Sequence, residues 1–291
     1  MQLRVLGTAA GGGVPQWNCD CCGCAAARAD PGRQRSHASI AVQVGAEQWF
    51  VVNATPDISA QIESCPELRP RPGRRSPVSG VLLTDAELDH TLGLFRLREA
   101  QQLDVRAAPA VLSALRQELR LDHVLGAYTS LTWGTMTEQP IRIGAVEVSA
   151  LALSPKAPRY ARGVQASGPW VSALRITDRT TKKTVVYAPC VSVWSDQLES
   201  ALNDADCVFL DGTFWDDDEP VRNGFSTLTA TGMGHLPITE TAQLLSKSPA
   251  ALRFYTHLNN TNPLIDPAAA EHRMLADFGL GVAVEKAVID L

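Results

Sequence analysis

The sequence has no excess of positive charge and no long apolar run, and both absences exclude classes of function. Its 291 residues carry a formal net charge of -5, so the chain lacks the basic surface that binds nucleic acid or anionic membranes. No apolar run approaches the ~20 residues of a membrane-spanning helix. The N-terminus, MQLRVLGTAAGGG, has no basic stretch followed by a long apolar one, so we find no signal peptide. We expect a soluble, cytoplasmic protein without a nucleic-acid or membrane partner.

Nucleotide-binding and calcium-binding loops are also missing. The stretch GTAAGGGVP lacks the G-x-G-x-x-G spacing, and a proline and cysteines follow it where a helix should begin. No G-x-x-x-x-G-K-[ST] occurs, so nucleotide hydrolysis has no support. The acidic stretch WDDDEP lacks the alternating spacing of a calcium loop and is interpreted as a solvated loop. The glycines of GTAAGGG instead predict backbone that passes close to a cleft.

Cysteine is concentrated near the N-terminus. The chain has seven cysteines, and Cys19, Cys21, Cys22 and Cys24 lie within NCDCCGC. Neighbours this close do not easily pair with one another, and the cytosol keeps them reduced. Cys19, Cys21 and Cys24 form C-x-C-x-x-C, a spacing at which three thiolates can surround one Zn²⁺. Cys22 is out of phase and is the spare thiol. A redox-active cluster is the alternative, but no C-x-x-C begins a helix in a thioredoxin-like unit.

The order of apolar and polar segments predicts an α/β chain with two packed sheets. Each half opens with predicted hairpins, such as HASIAVQV with EQWFVVN and VSALRIT with KTVVYAP. Each half continues with alternating helices and strands, such as SDQLESALNDA before CVFLDG. We also expect one helix from about Leu88 to Leu103 and one final strand, GVAVEKAVI. This order suits two mixed sheets with helices on both outer faces, in a single domain that spans residues 1–291.

Polar clusters follow four of the predicted strands. In such folds, binding sites form where loops leave the strand ends. The clusters therefore mark the places where a functional site is expected. They are residues 84–90, 154–160, 211–218 and 257–262.

The first cluster, TDAELDH, permits two interpretations. Thr84 followed by Glu87 fits a capping box, and acidic residues here would favour the positive end of a helix dipole. That interpretation leaves Asp89 and His90 unexplained, as it does the glycine in TLGL just beyond them. The second interpretation is that the cluster supplies metal ligands.

Groups at other predicted strand ends favour the metal interpretation. Asp211 lies in FLDGTF, His235 in GMGHLPI and His257 in FYTHLNN. The chain has only six histidines, so two of them at such loop positions are notable. Each of these residues alone would more often be structural than a ligand. Together with the Asp89–His90 pair, a distant aspartate and a distant histidine supply what a divalent metal site needs.

These motifs resemble those of the metallo-β-lactamase superfamily. TDAELDHTLGL is similar to its metal loop, H-x-H-x-D-H followed by a glycine-containing helix, while FLDGTF is similar to its later bridging aspartate and THLNN to its last histidine. The cysteine cluster, GHLPITETAQLL and THLNNTNPL resemble, within the superfamily, the proteins B of pyrroloquinoline quinone (PQQ) biosynthesis. The resemblance covers essentially the whole chain. It implies an αββα sandwich.

The chain departs from the superfamily at the first of its two usual metal sites. The two leading histidines of the loop are replaced here by Asp85 and Glu87. The middle segment that supplies a third histidine, LALSPKAPRY, contains none. Asp85 and Glu87 are expected to be helix-start residues or groups that support the ligands. The first site has thus lost its nitrogen ligands.

By the same resemblance, all the residues expected at the second metal site are present. Asp89, His90, Asp211 and His257 are present, so we expect one metal held by two imidazoles and one carboxylate, with Asp211 close by as a further ligand. This is the ligand set of non-haem Fe(II) oxygenases, in which open positions admit O2 beside an organic substrate. Zinc or another divalent metal can replace Fe(II) in preparations. His235 is either a proton donor or substrate contact near the metal, or an ordinary helix-start histidine.

The resemblance also implies that the cysteine cluster holds a structural zinc. Its fourth ligand is not determined by the cluster itself. Relatives that cleave phosphodiesters have a histidine three residues beyond the last metal histidine, and Asn260 occupies that position here. His37 and a water molecule are the alternatives.

The function implied by the resemblance is an oxidation in PQQ biosynthesis. The expected enzyme is an Fe(II)- and O2-dependent hydroxylase that acts on the tyrosine ring of a Glu–Tyr cross-linked diamino acid cut from a peptide. Other proteins of PQQ biosynthesis are the expected partners. One alternative is a soluble carrier that takes part in transport of PQQ or its precursor to the periplasm. Another is a phosphodiesterase-like hydrolase, disfavoured because hydrolysis between two metals requires both sites.

Overall fold

The computed structural model describes residues 1–73 and 75–291. Two seven-stranded sheets form its centre, in the orders β14-β1-β2-β3-β4-β5-β6 and β13-β12-β11-β10-β9-β8-β7. The strands are β1 (Gln2–Gly7), β2 (Ser39–Gly45), β3 (Gln48–Val52), β4 (Val78–Leu82), β5 (Gln102–Ala107), β6 (Ser130–Thr135), β7 (Ile141–Ile143), β8 (Val146–Ser154), β9 (Val171–Asp178), β10 (Thr184–Ala188), β11 (Cys207–Asp211), β12 (Leu252–Thr256), β13 (Gly281–Val282) and β14 (Val288–Asp290).

Both sheets are mixed in the same way. In the first sheet β1, β2 and β3 are antiparallel, and β3 to β6 are parallel. In the second sheet β7 to β10 are antiparallel, and β10 to β13 are parallel. Antiparallel neighbours need only tight turns, whereas parallel neighbours need crossover connections. The predicted hairpins followed by alternating helices and strands are therefore confirmed.

Helices lie outside the sheets and bury a second face of each. The α-helices are α1 (Cys22–Ala29), α2 (Ile58–Ser64), α3 (Leu88–Thr91), α4 (Pro109–Gln117), α5 (Leu121–Leu125), α6 (Asp196–Asn203), α7 (Glu219–Arg222), α8 (Ala230–Met233), α9 (Ile238–Ser246) and α10 (Glu271–Asp277). The described residues contain no helix that is long and apolar enough to span a membrane.

Alternation along the strands produces a core of three layers. In β2, Ile40 and Val42 point into the layer between the sheets, whereas Ala41 points toward the helices of the first sheet. Successive side chains of a strand face opposite sides, so an apolar strand can serve two layers at once. The layer outside the second sheet includes Leu198 of α6 and Leu245 of α9. The predicted αββα sandwich is thus confirmed.

The predicted helix from Leu88 to Leu103 is wrong. The α-helix ends at Thr91, a 3-10 helix follows over Leu92–Leu97, and Leu103 already lies in β5. Gly93 explains the tight packing of this segment, because a Cβ there would lie 2.1 Å from the carbonyl oxygen of Thr55. The capping box is also absent, since Glu87 is the N-cap residue and no side chain caps this helix.

The end of the chain also differs from prediction. The expected final strand is two strands, and these belong to different sheets: β13 pairs with β12, and β14 pairs with β1. The short loop between them crosses from one sheet to the other. Periodicity does not predict this crossing, since both pieces have the same apolar composition. Helix α1 and strand β6 were not predicted.

Candidate metal centre

The candidate centre lies where β4, β11 and β12 end. Asp89 and His90 lie on α3, which follows β4, while Asp211 ends β11 and His257 follows β12. Because β11 and β12 are parallel, with Asp211 opposite Thr256, their carboxyl ends meet at one edge of the sheet. His257 has a φ of 61°, a left-handed conformation that a non-glycine residue adopts where its surroundings hold it.

Three ligand atoms converge in this centre. Oδ2 of Asp89 lies 3.3 Å from Nε2 of His257 and 3.6 Å from Nε2 of His90. Nε2 of His90 is buried and has no hydrogen-bond partner in the described part of the chain. A buried polar atom without a partner costs free energy unless something else binds it. One carboxylate oxygen and two imidazole nitrogens at these distances fit a divalent metal ion, which would complete the surroundings of His90.

Asp85 orients His90. Its two carboxylate oxygens lie 2.7 and 2.9 Å from Nδ1 of His90, so Nδ1 donates and Nε2 faces Asp89. Oγ1 of Thr84 donates to Asp85 at 2.7 Å, and the amide of Glu87 donates at 2.9 Å. Glu87 itself is exposed. Of the two loop acids, Asp85 is therefore the one that supports a ligand.

A chain of hydrogen bonds holds His257. Nδ1 of His257 lies 2.8 Å from Oγ1 of Thr213, and this hydroxyl donates to Oδ1 of Asp211 at 2.6 Å. Since the hydroxyl proton is committed to Asp211, Thr213 accepts the proton of His257 Nδ1. The lone pair of His257 is therefore on Nε2, which faces Asp89.

Asp211 lies beside the converging atoms and is not one of them. Oδ1 accepts from the amide and hydroxyl of Thr213, at 3.0 and 2.6 Å. Oδ2 accepts from the amide of Val191 and from Nδ1 of His235, both at 2.7 Å. The expectation that Asp211 binds the metal directly is corrected accordingly: its four hydrogen bonds position Thr213 and His235. The ring of His235 in turn stacks on that of His257, with centroids 5.7 Å apart.

The charges of the centre are coupled. Burial would lower the pKa of His90, but the carboxylates of Asp85 and Asp89 outweigh it and raise the pKa to about 9. Burial would raise the pKa of Asp89, but His90 and His257 hold it well below its usual range. Burial lowers the pKa of His257. The Asp89 carboxylate is therefore ionised, as a metal ligand must be.

A second acid–imidazole pair borders the centre. Nδ1 of His37 lies 2.7 Å from Asp57, and its Nε2 lies 3.2 Å from the carbonyl oxygen of Gly11. A Cβ on Gly11 would lie 3.6 Å from Oδ2 of Asp89, so the glycine-rich loop passes close to the metal ligands, as the sequence predicted. The alternative of His37 as a zinc ligand of the cysteine cluster is wrong, because its ring is held by Asp57 and Gly11.

The predicted cysteine ligands are brought together. Sγ atoms of Cys19, Cys21 and Cys24 lie within 4.8 Å of one another. Nδ2 of Asn260 lies 3.1, 3.4 and 3.3 Å from these three sulfurs. Rotation of the terminal amide would place Oδ1 of Asn260 at the same point. Three sulfurs closed by an amide oxygen fit four-coordinate zinc.

Cys190 also lies at the centre, and it was not predicted from the sequence. Cys190 offers a ligand atom within 4.8 Å of ligand atoms of Asp85 and His90. Cys190 also forms such a group with His235 and His257. Burial and the surrounding carboxylates raise the pKa of the Cys190 thiol well above its usual range. Cys190 comes just after β10, so the rule that polar groups at strand ends mark a site would have identified it.

Comparisons with known proteins identify the family. Residues 48–258 match the beta-lactamase superfamily domain. The chain is 36% identical to coenzyme PQQ synthesis protein B of Azoarcus sp. (strain BH72), over 100% of both chains. It is 37% identical to the protein of that name from Cupriavidus necator, over 97% of each.

Solved structures give the same relationship. Zn²⁺-bound PqqB from Methylobacterium extorquens matches with a TM-score of 0.90 and 30% identity, over 100% of both chains. A diphosphatase of the PhnP family matches with a TM-score of 0.71 at 17% identity, over 100% of this chain and 97% of that one, and shows the shared fold alone. The chain therefore belongs to the beta-lactamase superfamily and, within it, to the family of coenzyme PQQ synthesis proteins B.

Proposed function

We propose that the chain acts in PQQ biosynthesis as an Fe(II)- and O2-dependent hydroxylase. The substrate would be the Glu–Tyr cross-linked diamino acid, hydroxylated on its tyrosine ring. The names of the full-length relatives support the pathway. The observation that carries the reaction class is the convergence of Asp89, His90 and His257 on one point. When bound there, an iron with open positions supplies O2 chemistry next to an organic substrate.

The loss of the other metal site supports a single-metal enzyme. Asp85 stands where the superfamily has a histidine, and both its oxygens are directed at Nδ1 of His90. Glu87 stands at the second such position, and it is exposed. A two-metal hydrolase would need ligands at both positions to clamp the attacking and leaving oxygens. Asp85 instead supports one ligand and Glu87 supports none, which favours a single ion.

The protein would contribute position and charge to the reaction. Asp85 and Thr213 hold the two imidazoles with Nε2 directed inward, so the ligands need no rearrangement when the ion binds. Asp89 supplies the one negative charge among the three ligands. His235 is partly buried, donates through Nδ1 to Asp211 and lies against His257. Its position suits a contact with the substrate or a proton donor for it.

The cysteine cluster would hold a structural zinc. Asn260 lies just beyond His257 and touches all three sulfurs, so zinc at the cluster would fix the loop that carries the last ligand of the catalytic metal. Structural zinc sites contribute directly to folding free energy. The cluster therefore supports the catalytic centre from outside it.

The test is anaerobic reconstitution with Fe(II), followed by mass analysis of the cross-linked substrate after O2 is admitted. A gain of one oxygen atom is expected from the wild type, and none from His90→Ala or His257→Ala. His123→Ala is the matched control, because this histidine is exposed on α5 and should leave turnover unchanged. Other proteins of the pathway are the proposed partners and can be added if product release limits turnover.

Two other results would contradict the proposal. Tight binding of PQQ without any change in substrate mass would favour a carrier. Phosphodiester hydrolysis that requires His90 and His257 would favour a hydrolase that works with one metal.

A further inference from the structure

A pocket between three loops lies outside the metal centre and has no role in the proposed function. Its volume is about 540 Å³, and its walls are the segment 31–35, the start of α10 with the residues before it, and the crossing between β13 and β14. This volume is in the range of small-molecule sites. Its ionisable lining residues in the described part of the chain are mostly basic: Arg33, Arg35, His272 and Lys286, with Glu285 as the one carboxylate.

Arg35 is a partly buried guanidinium with few acceptors around it. Its one side-chain hydrogen bond to a described residue runs from Nη1 to Oγ1 of Thr8, at 3.2 Å. A guanidinium has five N–H donors, and burying its charge costs free energy unless an anion or several acceptors surround it. Burial lowers the pKa of Arg35, and the charge of Glu285 offsets this only in part. Because Arg35 lines the pocket, its remaining donors are available to a ligand there.

Glu285 makes no direct ion pair with Arg35, although both are among the described residues. Oε1 of Glu285 accepts from the amide and the hydroxyl of Thr8, both at 3.2 Å, and from the amide of Ser36 at 2.9 Å. The hydroxyl of Thr8 donates to Glu285 and accepts from Arg35, so it stands between the two charges. The carboxylate is thus held by two neighbouring loops, and the guanidinium can be neutralised from the side of the pocket.

Lys286 adds a second positive charge to the pocket. It is exposed, and its side chain has no ion pair or hydrogen bond to a described residue. Its φ is 66°, in the left-handed region that glycine or asparagine adopts more easily. Two hydrogen bonds hold this turn: the amide of Lys286 donates to the carbonyl of Val5 at 2.7 Å, and the amide of Val5 donates to that of Ala287 at 3.1 Å. The backbone therefore fixes a lysine beside the pocket at a position that would suit glycine.

The other two basic residues contribute less charge. Arg33 is paired with Asp266 at 3.4 Å and with Asp30 at 3.7 Å. Nε2 of His272 lies 3.2 Å from the carbonyl oxygen of Asp266, which leaves Nδ1 for a ligand. The excess positive charge of the pocket therefore comes from the two unpaired cations, in a chain whose formal net charge is -5. A locally positive pocket on an acidic protein concentrates anions at that place.

We infer that this pocket binds a small molecule through an anionic oxygen group, a carboxylate or a phosphate, with the guanidinium of Arg35 as the main contact and Lys286 as the second. The planar fork of a guanidinium matches the geometry of both groups, and the ammonium group adds charge. The inference goes beyond the proposed function and does not depend on it. The pocket is distinct from the metal centre, although Thr8 connects them, since its carbonyl accepts from the amide of Leu258 at 2.8 Å.

Isothermal titration calorimetry with inorganic phosphate and with succinate tests the inference. The protein carries zinc in its cysteine cluster, and neither iron, O2 nor the proposed substrate is added, so the result does not depend on hydroxylation. Ionic strength is held constant, because it changes the screening of exposed charges. Binding of either anion is the expected result, and the anion that binds more tightly identifies the group that the pocket recognises. His90→Ala should bind with wild-type affinity, since the metal centre takes no part.

Four further variants locate the anion. Arg35→Gln should weaken binding about tenfold or more, because charge-assisted hydrogen bonds are lost. Arg35→Lys retains the charge without the fork and should weaken binding less than glutamine does. Lys286→Gln should weaken it about twofold to fivefold, as expected for one exposed charge. Lys182→Gln is the matched control and should not change it, since Lys182 is also an exposed lysine, with a φ of 62°, and does not line the pocket.

A wild type that binds neither anion would overturn the inference, as would unchanged binding by Arg35→Gln. Equal losses in Lys286→Gln and Lys182→Gln would also overturn it, because they would indicate attraction to the overall charge alone. Loss of binding in His90→Ala would place the anion at the metal centre instead. If Arg35→Gln does not fold, Arg35→Lys and the pair of lysine variants decide the outcome.

Discussion

The rings of His90 and His257 meet edge to face, with centroids 5.2 Å apart and an interplanar angle of 60°. The two residues come from distant parts of the chain, and a different acceptor holds Nδ1 of each ring: a carboxylate for His90 and a hydroxyl for His257. Both acceptors fix the tautomer, so both Nε2 atoms are directed at Asp89. The arrangement predicts that metal affinity depends on residues that never touch the metal.

Asp85→Asn should weaken metal binding at the candidate centre. The amide cannot accept as strongly from Nδ1 of His90, and its NH2 group can turn the imidazole by donating to it. Loss of such a supporting carboxylate typically costs ~10–100-fold in metal affinity. Competition with a chelator, followed by metal analysis, measures the change. Asp122→Asn, at an exposed position on α5, is the control and should retain wild-type affinity. Equal affinities in Asp85→Asn and the wild type would contradict the role assigned to Asp85.

Thr213→Val should destabilise the protein and lower its affinity for the metal. Thr213→Ser should change both properties only slightly. Valine preserves the shape but removes the hydroxyl that connects Asp211 to His257. Leaving a buried donor or acceptor unpaired costs about 1–3 kcal/mol. Urea unfolding of the metal-free variants measures the stability change, and metal analysis measures the affinity. If serine and valine behave alike, the hydroxyl is not the group that matters.

Asn260→Ala should release zinc from the cysteine cluster, and Asn260→Asp should retain it. The aspartate keeps an oxygen near the three sulfurs and adds a charge, whereas alanine leaves the fourth position to water. Zinc content after dialysis, together with the midpoint of thermal unfolding, distinguishes the two. Cys22→Ser should retain the zinc. Retention of zinc by Asn260→Ala would favour the water alternative.

The sandwich could be predicted because its pattern is local. Hairpins and alternating elements are encoded by short apolar runs and turn residues, as in the β9–β10 hairpin, where the turn lies between Asp178 and Thr184. The division of GVAVEKAVI into two strands could not be predicted, because it depends on which sheet edge each half reaches. The shortened α3 is similar, since the contact of Gly93 with Thr55 is set by tertiary packing.

The candidate site was predicted in its residue types but not in its connections. Asp89, His90 and His257 stand out as polar groups at strand ends, and the structure brings them together. Asp211 looks the same in the sequence, yet four hydrogen bonds turn it toward Thr213, Val191 and His235. Hydrogen-bond partners depend on side-chain orientation, which spacing along the chain does not determine.

Glu219 links two loops next to the centre. It is buried, and its carboxylate accepts from the amide of Trp215 at 2.7 Å and from the hydroxyl of Thr261 at 2.6 Å. Trp215 belongs to the loop after β11, and Thr261 is the neighbour of Asn260. Burial outweighs both hydrogen bonds and raises the pKa of Glu219 to about 7. The folded protein therefore binds this proton more tightly than the unfolded chain does.

This shift predicts that stability falls as pH rises from about 4.5 to about 7, because in that range the folded state holds a proton that the unfolded state has released. Ionising Glu219 in the folded protein costs stability on the order of 3 kcal/mol. This loss is absent below the range and constant above it. Glu219→Gln should remove it, so its free energy of unfolding relative to the wild type should increase between pH 5 and pH 8. Urea unfolding at both pH values measures the difference, with Glu199→Gln, on the exposed side of α6, as the control. A Gln variant that follows the pH dependence of the wild type would show that Glu219 is ionised at little cost, and that another carboxyl dominates stability in this range.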